Sequence, residues 1–136
     1  MRFATREWID AVACAVNAQP DLGTALAGLP RDAAFVVAGE RPLFPRTLAV
    51  HVEQERGRIA RWRILADEDD ILEIEPAYVL RAPYRVWKAL LAGRDPVQAA
   101  LSGQVRVEGD LEALVRRAGY RYVVDAALRA VPTEFP

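Results

Sequence analysis

The stretch RDPVQAALSGQVRVEGDLEALVRR, from Arg94 to Arg117, joins two helix-like segments through a short alternating run that lies between two glycines. Asp95 can cap the first helix, Pro96 suits its first position, and Gly103 suits its end. The run from Gln104 to Glu108 alternates valine with polar residues, which is typical of a strand with one buried face. The stretch therefore predicts a helix, a brief strand and a second helix.

Earlier segments predict the other strands. Residues 33–38 form a continuous apolar run, and residues 47–53, 60–64 and 72–75 alternate apolar with polar side chains. The apolar set in the later strands comprises Trp62, Ile64, Leu72, Ile74, Val105 and Val107, and the opposite, charged set comprises Arg61, Arg63, Glu73, Glu75, Arg106 and Glu108. This segregation is typical of an antiparallel sheet with one solvated face. We predict an α+β fold, a two-layer sandwich in which a mainly antiparallel five-stranded sheet carries helices on one face.

Helices are predicted before, between and after these strands. Thr5 can cap a helix that runs to about Gln19, and PDLGTALAGLP (20–30) is typical of a short second helix. PAYVL (76–80) and PYRVWKALLAG (83–93) are also expected to be helical, whereas the closing PTEFP is expected to be a loose tail. The chain should form a single domain, with N-terminal helices in 5–29, a core at about 33–117 and a C-terminal helical extension at about 119–131.

The composition excludes several classes of protein. The 136 residues are 52% hydrophobic and 27% charged with a net charge of −1, so the chain should be globular and has no global field for nucleic acid. Cys14 is the only cysteine, and no run approaches the ~20 apolar residues of a membrane span. Charges come too early for a signal peptide. We expect a cytoplasmic protein.

The opening stretch resembles the C-terminal signature of the sterol carrier protein 2 family. The shared pattern is L-x-G-x-D-P-x-x-A-x-x-S-G-x-x-x-x-x-G-D, in which the matching positions include Asp95, Pro96, Ala99, Gly103, Gly109 and Asp110. The resemblance covers about residues 33–115. It implies a hydrophobic cavity between sheet and helices that holds a sterol, fatty acid, acyl-CoA or similar lipid. It also implies a carrier or accessory factor that has no catalytic activity and no cofactor.

We therefore predict that the lipid cavity is lined by apolar side chains of the sheet and of the later helices. They are Trp62, Ile64, Leu72, Ile74, Trp87, Leu90, Leu91, Leu101, Val105, Val107, Leu111 and Leu114. Simple core filling is the competing interpretation of both tryptophans. The alternative function is a protein-interaction module with a collapsed cavity, which forms a homodimer through its C-terminal extension or docks on a lipid-processing enzyme.

Other chemistry finds little support in the sequence. Ser102 and His51 are the only serine and histidine, and a triad would require them to meet. We expect Ser102 to bond nearby backbone, His51 to point outward, and Cys14 to be a buried, inert thiol. The acidic run 67–70 lacks the spacing of a calcium loop, and one histidine with one cysteine leaves no usual zinc site.

A group of basic side chains lies close together in the sequence around the predicted helix at 83–93. Such a group is commonly a solvated face, but beside a cavity mouth it could meet a carboxylate, a phosphate or an anionic membrane surface in transient contact. The group comprises Arg81, Arg85, Lys88 and Arg94.

Overall fold

The computed structural model describes residues 1–20, 22–23, 30–116 and 120–136, with the Leu114 side chain left out. The helices are α1 (Arg6–Asn17), α2 (Asp70–Ile74), α3 (Tyr84–Leu91), α4 (Pro96–Leu101), α5 (Leu111–Arg116) and α6 (Tyr120–Ala130). The strands are β1 (Asp32–Ala38), β2 (Leu48–Glu55), β3 (Arg58–Ile64), β4 (Tyr78–Pro83) and β5 (Arg106–Glu108). The predicted α+β class is confirmed. Most of the helix predicted at 20–30 lies outside the described residues.

The sheet is mixed, which corrects the prediction of a mainly antiparallel sheet. Its five strands lie in the order β3-β2-β1-β4-β5, and the central pair β1–β4 is parallel. The other three pairs are antiparallel. The parallel pair arises because the chain leaves β3 at one edge, crosses the sheet through α2, and returns as β4 beside β1.

Two segments have the opposite secondary structure from the one predicted. The run at 72–75, expected to be a strand, belongs to helix α2, because Ile71 and Ile74 at helical spacing pack against the sheet. PAYVL, expected to be helical, is the start of β4, in which Tyr78 and Val79 are good strand formers. A single short apolar run does not distinguish a strand from a helix, and tertiary packing decided both cases.

The sheet has two unlike faces, which the strand register defines. Side chains directly opposite each other on neighbouring strands share a face. One row across all five strands is apolar and defines what we call the helix face: Ile64, Val50, Phe35, Leu80 and Val107. The neighbouring row, on what we call the charged face, is Arg63, His51, Ala34, Val79 and Glu108.

The centre of the charged face is covered rather than solvated. Ala34 and Val36 of β1 are 0% exposed and pack with Ile71 and Ile74 of α2. The expectation that helices cover one face only is therefore wrong for α2. Arginines and glutamates predicted for this face, including Arg61, remain exposed around that covered centre.

The N-terminal helix packs on the C-terminal helix and on the edge of the sheet. The Thr5 hydroxyl accepts a hydrogen bond from the Trp8 amide (3.3 Å), which confirms the predicted cap. Val16 of α1 packs with Val123 of α6 and with Ile59 of β3. The Asn17 side-chain amide donates to the Ile59 carbonyl (3.0 Å) and its oxygen accepts from the Ile59 amide (2.9 Å), so α1 is fixed to the edge of β3.

The last five residues are anchored, which corrects the prediction of a loose tail. The Glu134 amide donates to the Met1 carbonyl (2.7 Å), and the Phe3 amide donates to the Glu134 carbonyl (2.9 Å). Phe135 packs against Phe3 with ring centroids 5.3 Å apart, and the Tyr84 hydroxyl donates to the Pro136 carbonyl (3.0 Å). The tail thus contributes an aromatic side chain to a cluster that joins both termini to α3.

Candidate functional site

The helix face is a continuous apolar surface. Its central row runs from Ile64 at one edge to Val107 at the other, a distance of four strand spacings, or about 19 Å. The adjacent rows add Val52 with Trp62, and Val37 with Ala82. No charged side chain interrupts the central row, so the face offers a long apolar wall to whatever lies against it.

Two residues at the centre of this wall keep solvent-accessible surface. Phe35 on β1 and Leu80 on β4 lie on inner strands, yet both are only partly buried. Ala34 and Val36, which flank Phe35 on the same strand and point to the charged face, are fully buried. An interior strand is thus sealed on one side and incompletely sealed on the side that faces the long helices.

Helix α3 is held over this wall by Trp87. The Trp87 indole N–H donates to the Val36 carbonyl (2.9 Å), and its ring meets the edge of Phe35 at a centroid distance of 6.3 Å. Leu90, one turn further along, packs in the same cluster as Leu80 and Val107. Because the indole is hydrogen-bonded to the central strand, the position of α3 is fixed where it crosses the sheet.

Caps and glycines in the stretch from Arg94 to Arg117 set the bounds of helix α4 and strand β5. The Asp95 side chain accepts from the Val97 amide (2.9 Å), Pro96 occupies the first turn, and Gly103 has a φ of +81°, which confirms the predicted cap and stop. Ala99 is fully buried against α3 and β5. At Gly109 a Cβ would lie 2.5 Å from the Tyr78 ring, so only glycine fits. These residues set the fold and provide no reactive group.

The structure brings together part of the predicted lining. Trp87, Leu90, Val105 and Val107 form one cluster with Leu80 at the β4–β5 side of the helix face. Leu91 is part of the aromatic cluster at the termini, and Leu111 of α5 is partly buried. Trp62 and Ile64 lie on the same face but at the far edge, on β3, where the Arg6 guanidinium lies 5.8 Å from the Trp62 ring.

Three predicted residues lie elsewhere. Leu72 is 76% exposed on the outer side of α2, and Ile74 packs into the charged face. Leu101 is 65% exposed at the end of α4. The side chain of Leu114 lies outside the described residues. Leu72 and Ile74 were misplaced because their segment is a helix. Leu101 is the last residue of α4, and its side chain is exposed instead of packing in the core.

Sequence reasoning missed Phe35 and Leu80, the two central residues of the wall. Phe35 lies in an apolar run that has no alternation, so the sequence pattern could not assign it to a face. Leu80 was hidden by the helix prediction for 76–80. The combination of tyrosine, valine and leucine before Pro83 is the signal that could have indicated a strand there.

The charged face contains a buried histidine–carboxylate pair. His51 lies on the predicted face but is buried, contrary to the expectation that it points outward. Its Nε2 is 2.8 Å from Asp32 Oδ2, and the Ala77 amide donates to Asp32 Oδ1 (2.9 Å). Burial raises the pKa of Asp32, but these hydrogen bonds and the charges of His51 and Arg31 outweigh it, so the pKa lies below its ordinary value. The pair ties the start of β1 to β2 and β4.

The other reactive side chains are dispersed. The Ser102 hydroxyl donates to the Ala99 carbonyl (3.2 Å), as expected. Cys14 is exposed rather than buried, because it faces away from the side of α1 that packs on α6. The acidic run 67–70 leads into α2, and Glu68 of this run pairs with Arg81. Within the described ranges no three potential metal-ligating side chains converge.

The basic side chains grouped around the predicted helix at 83–93 differ in their partners. Arg85 pairs with Glu40 (3.2 Å), and the ammonium of Lys88, the only lysine in the sequence, lies 5.6 Å from the Phe135 ring. Arg94 has no ion-pair partner among residues that the structure describes. Arg94 and Arg85 border a groove of about 420 Å³ beside α3.

Comparisons with known proteins agree with this architecture. The chain aligns over 96% of its length with all of the crystal structure of sterol carrier protein 2, with a TM-score of 0.79 and 23% identity. A conserved hypothetical protein from Thermus thermophilus gives a TM-score of 0.78 at 22% identity, covering 98% of this chain and 92% of that protein. The UbiJ-SCP2 ubiquinone synthesis protein gives 0.56 at 16% identity, covering 93% and 95%. At these identities the likeness shows the fold.

No curated protein sequence matches the chain significantly. In the part of the chain that the structure describes, no helix is both long enough and apolar enough to cross a membrane. The model of the SCP-2 sterol transfer family matches residues 39–118, which is more than half of the chain, and the resemblance read from residues 94–117 is thereby confirmed. The chain belongs to the SCP-2 sterol transfer family.

Proposed function

We propose that this protein binds a lipid against the helix face and acts as a carrier or accessory factor. The observation that carries the proposal is the accessible apolar surface of Phe35 and Leu80 at the centre of the sheet. Family membership supports the same function, since the family is described by sterol transfer. A sterol, a fatty acid or an acyl-CoA would each meet the same kind of wall.

The driving force for binding is the removal of apolar surface from water. Each 100 Å² that a ligand buries against this wall contributes about 2.5 kcal/mol. The aliphatic and aromatic side chains of the central row can adapt to chain-like or ring-like ligands, because they make no directional hydrogen bonds. Trp87 contacts the wall directly, so its fluorescence should respond to an occupied site.

We further propose a binding role without catalysis, in the cytoplasm. Ser102 is hydrogen-bonded to backbone, and His51 pairs with Asp32 on the charged face, so neither side chain is directed toward the apolar wall. A chain with a single cysteine forms no internal disulfide, which suits a reducing compartment.

The test combines native mass spectrometry of the purified protein with titration of a fluorescent fatty acid that quenches tryptophan. We expect saturable quenching and a bound lipid mass. Leu80→Gln should weaken binding, because it places an amide in the middle of the wall. Leu72→Gln is the matched control, since Leu72 is exposed on α2. No bound lipid together with no saturable quenching would overturn the proposal.

The homodimer predicted from the C-terminal extension remains a proposal with a specific candidate surface. Helix α6 packs Val123 and Ala127 onto α1 and leaves Tyr122 80% exposed on its outer side. If α6 mediates a dimer, Tyr122→Glu should convert it to a monomer in light scattering after size exclusion. If the unmodified protein is a monomer, the dimer proposal is wrong, and the proposal of lipid binding is unaffected.

A further inference from the structure

Two helices end in the same way at one groove. In α3 the Gly93 amide donates to the Leu90 carbonyl (3.1 Å), and the Arg94 amide donates to the Ala89 carbonyl (3.1 Å). In α4 the Gly103 amide donates to the Ala100 carbonyl (3.2 Å), and the Gln104 amide donates to the Ala99 carbonyl (2.9 Å). Both endings are Schellman caps with a positive-φ glycine. Each cap fixes the residue that follows its glycine.

Those two fixed residues border one opening. The groove of about 420 Å³ lies between the end of β4, the first turn of α3 and the two caps. A Cβ added at Gly103 would meet no atom within 4 Å, so the space above this cap is open. The lining residues are Pro83, Arg85, Val86, Arg94, Gly103 and Gln104.

The polar side chains of this lining are hydrogen-bond donors, and two of the three carry a positive charge. The lining contains two guanidinium groups and one primary amide, and no carboxylate among the residues that the structure describes. Glu40 pairs with Arg85 at 3.2 Å and also accepts from the Arg85 amide at 2.8 Å, so it balances the charge of that guanidinium. The carboxylate of Asp95, which follows Arg94 in the chain, pairs with Arg121 at 3.2 Å. Arg94 is exposed and has no ion pair within the described residues, so its charge is available to a ligand.

The apolar part connects the groove to the helix face. Val86, which borders the groove, is buried in the cluster that also contains Leu80 and Val107 of the central row. A ligand with an anionic head on Arg94 and Gln104 would therefore have its apolar chain beside the same cluster that forms the wall. Guanidinium groups bind phosphate and carboxylate oxygens through paired N–H donors.

We propose that this groove recognises the phosphate or carboxylate head group of an amphipathic ligand, with Arg94 as the principal anchor and Gln104 and Arg85 as further donors. The inference rests on the proposed lipid-binding function and specifies which chemical class of lipid the site prefers. It distinguishes an acidic lipid from a neutral one, a choice that the apolar wall alone does not make.

The test compares dodecyl phosphate, below its micellar concentration, with dodecanol, below its solubility limit, by calorimetric titration of the full chain. Arg94→Gln should weaken dodecyl phosphate binding about tenfold, the worth of one charged hydrogen bond, and leave dodecanol binding unchanged. Arg116→Gln is the control, because Arg116 is also an exposed arginine but lies on α5, outside the groove lining, and pairs with Glu112. An unchanged thermal midpoint shows that each variant is folded.

Each result decides between the two proposals. Equal affinities of the unmodified protein and Arg94→Gln for dodecyl phosphate would overturn the groove and leave the lipid function intact. Failure of both dodecyl ligands to bind, together with no lipid mass and no saturable quenching in the test above, would overturn the lipid function. In that case, inorganic phosphate is added and the Gly103 amide resonance is followed. A shift in the unmodified protein but not in Arg94→Gln would show that the groove is still a site for free anions. No shift would overturn the groove as well.

Discussion

The two faces of strand β1 differ in how completely they are sealed. Ala34 and Val36 on the charged face are fully buried beneath the five-residue helix α2, whereas Phe35 between them stays partly accessible beneath longer helices. Small, regular side chains on one side permit close packing. The difference indicates that α2 completes a solid core, while the helix face keeps accessible apolar surface.

The largest expected effect on stability comes from truncating the side chain of α2 that covers the charged face. Ile71→Ala should destabilise the protein by about 2–5 kcal/mol, because Ile71 is buried against Ala34 and Val36 and the loss leaves a cavity. Urea denaturation measures the change. Lipid affinity under native conditions should stay the same, and a parallel loss of affinity would contradict the separation of the two faces.

A paired enlargement tests the contrast directly. Ala34→Leu should cost about 1–3 kcal/mol, since the solid face has no space for added methylenes. Leu80→Phe on the helix face should cost less stability but reduce fatty-acid affinity, because the larger ring occupies surface offered to the ligand. Denaturation midpoints and tryptophan quenching report the two quantities. Equal stability losses would show that both faces are solid.

We expect acid to destabilise the contacts of the charged face and to leave those of the helix face unchanged. The pKa of Asp32 is lowered in the folded state, so its carboxylate stabilises the protein above the unfolded value of about 3.9. This contribution is lost as the pH falls through the lower, folded pKa. Asp32→Asn should therefore flatten the fall in urea midpoint between pH 5 and pH 3. An unchanged profile would show that Asp32 contributes nothing.

The smallest effect is expected at Leu72. Because this side chain is exposed, Leu72→Ala should change stability by less than about 0.5 kcal/mol and leave lipid affinity unchanged. Calorimetry of the thermal transition is the measurement. A marked loss of lipid affinity would show that Leu72 does line the ligand-binding surface, as the sequence pattern predicted.

The residues that shape turns and caps were the most predictable part of the molecule. Thr5, Asp95, Pro96 and Gly103 act where the sequence placed them, because capping depends on a few neighbouring residues. The charged set on β3 and β5 was predictable too, since strict alternation assigns Arg61 and Arg106 to one face.

The crossover through α2 was not predictable from local pattern. Ile71 and Ile74 suit a helix, whereas Leu72 and Ile74 suit a strand, so contact with the sheet had to decide between them. That error also hid β4 and its parallel pairing with β1. Leu80 was lost with β4, and Phe35 was missed because its apolar run has no alternation that assigns it to a face. Trp87 and Val107 were found because their own segments are unambiguous.

The hydrogen bonds between Asn17 and Ile59 have a consequence for self-association. A sheet edge with free backbone groups can recruit a strand from another molecule and begin aggregation. Here a single carboxamide occupies both the donor and the acceptor of Ile59, so an incoming chain would have to displace α1 first. The opposite edge, β5, is only three residues long and gives little length for such recruitment. One asparagine therefore blocks strand addition at Ile59, near the start of the longer border of the sheet.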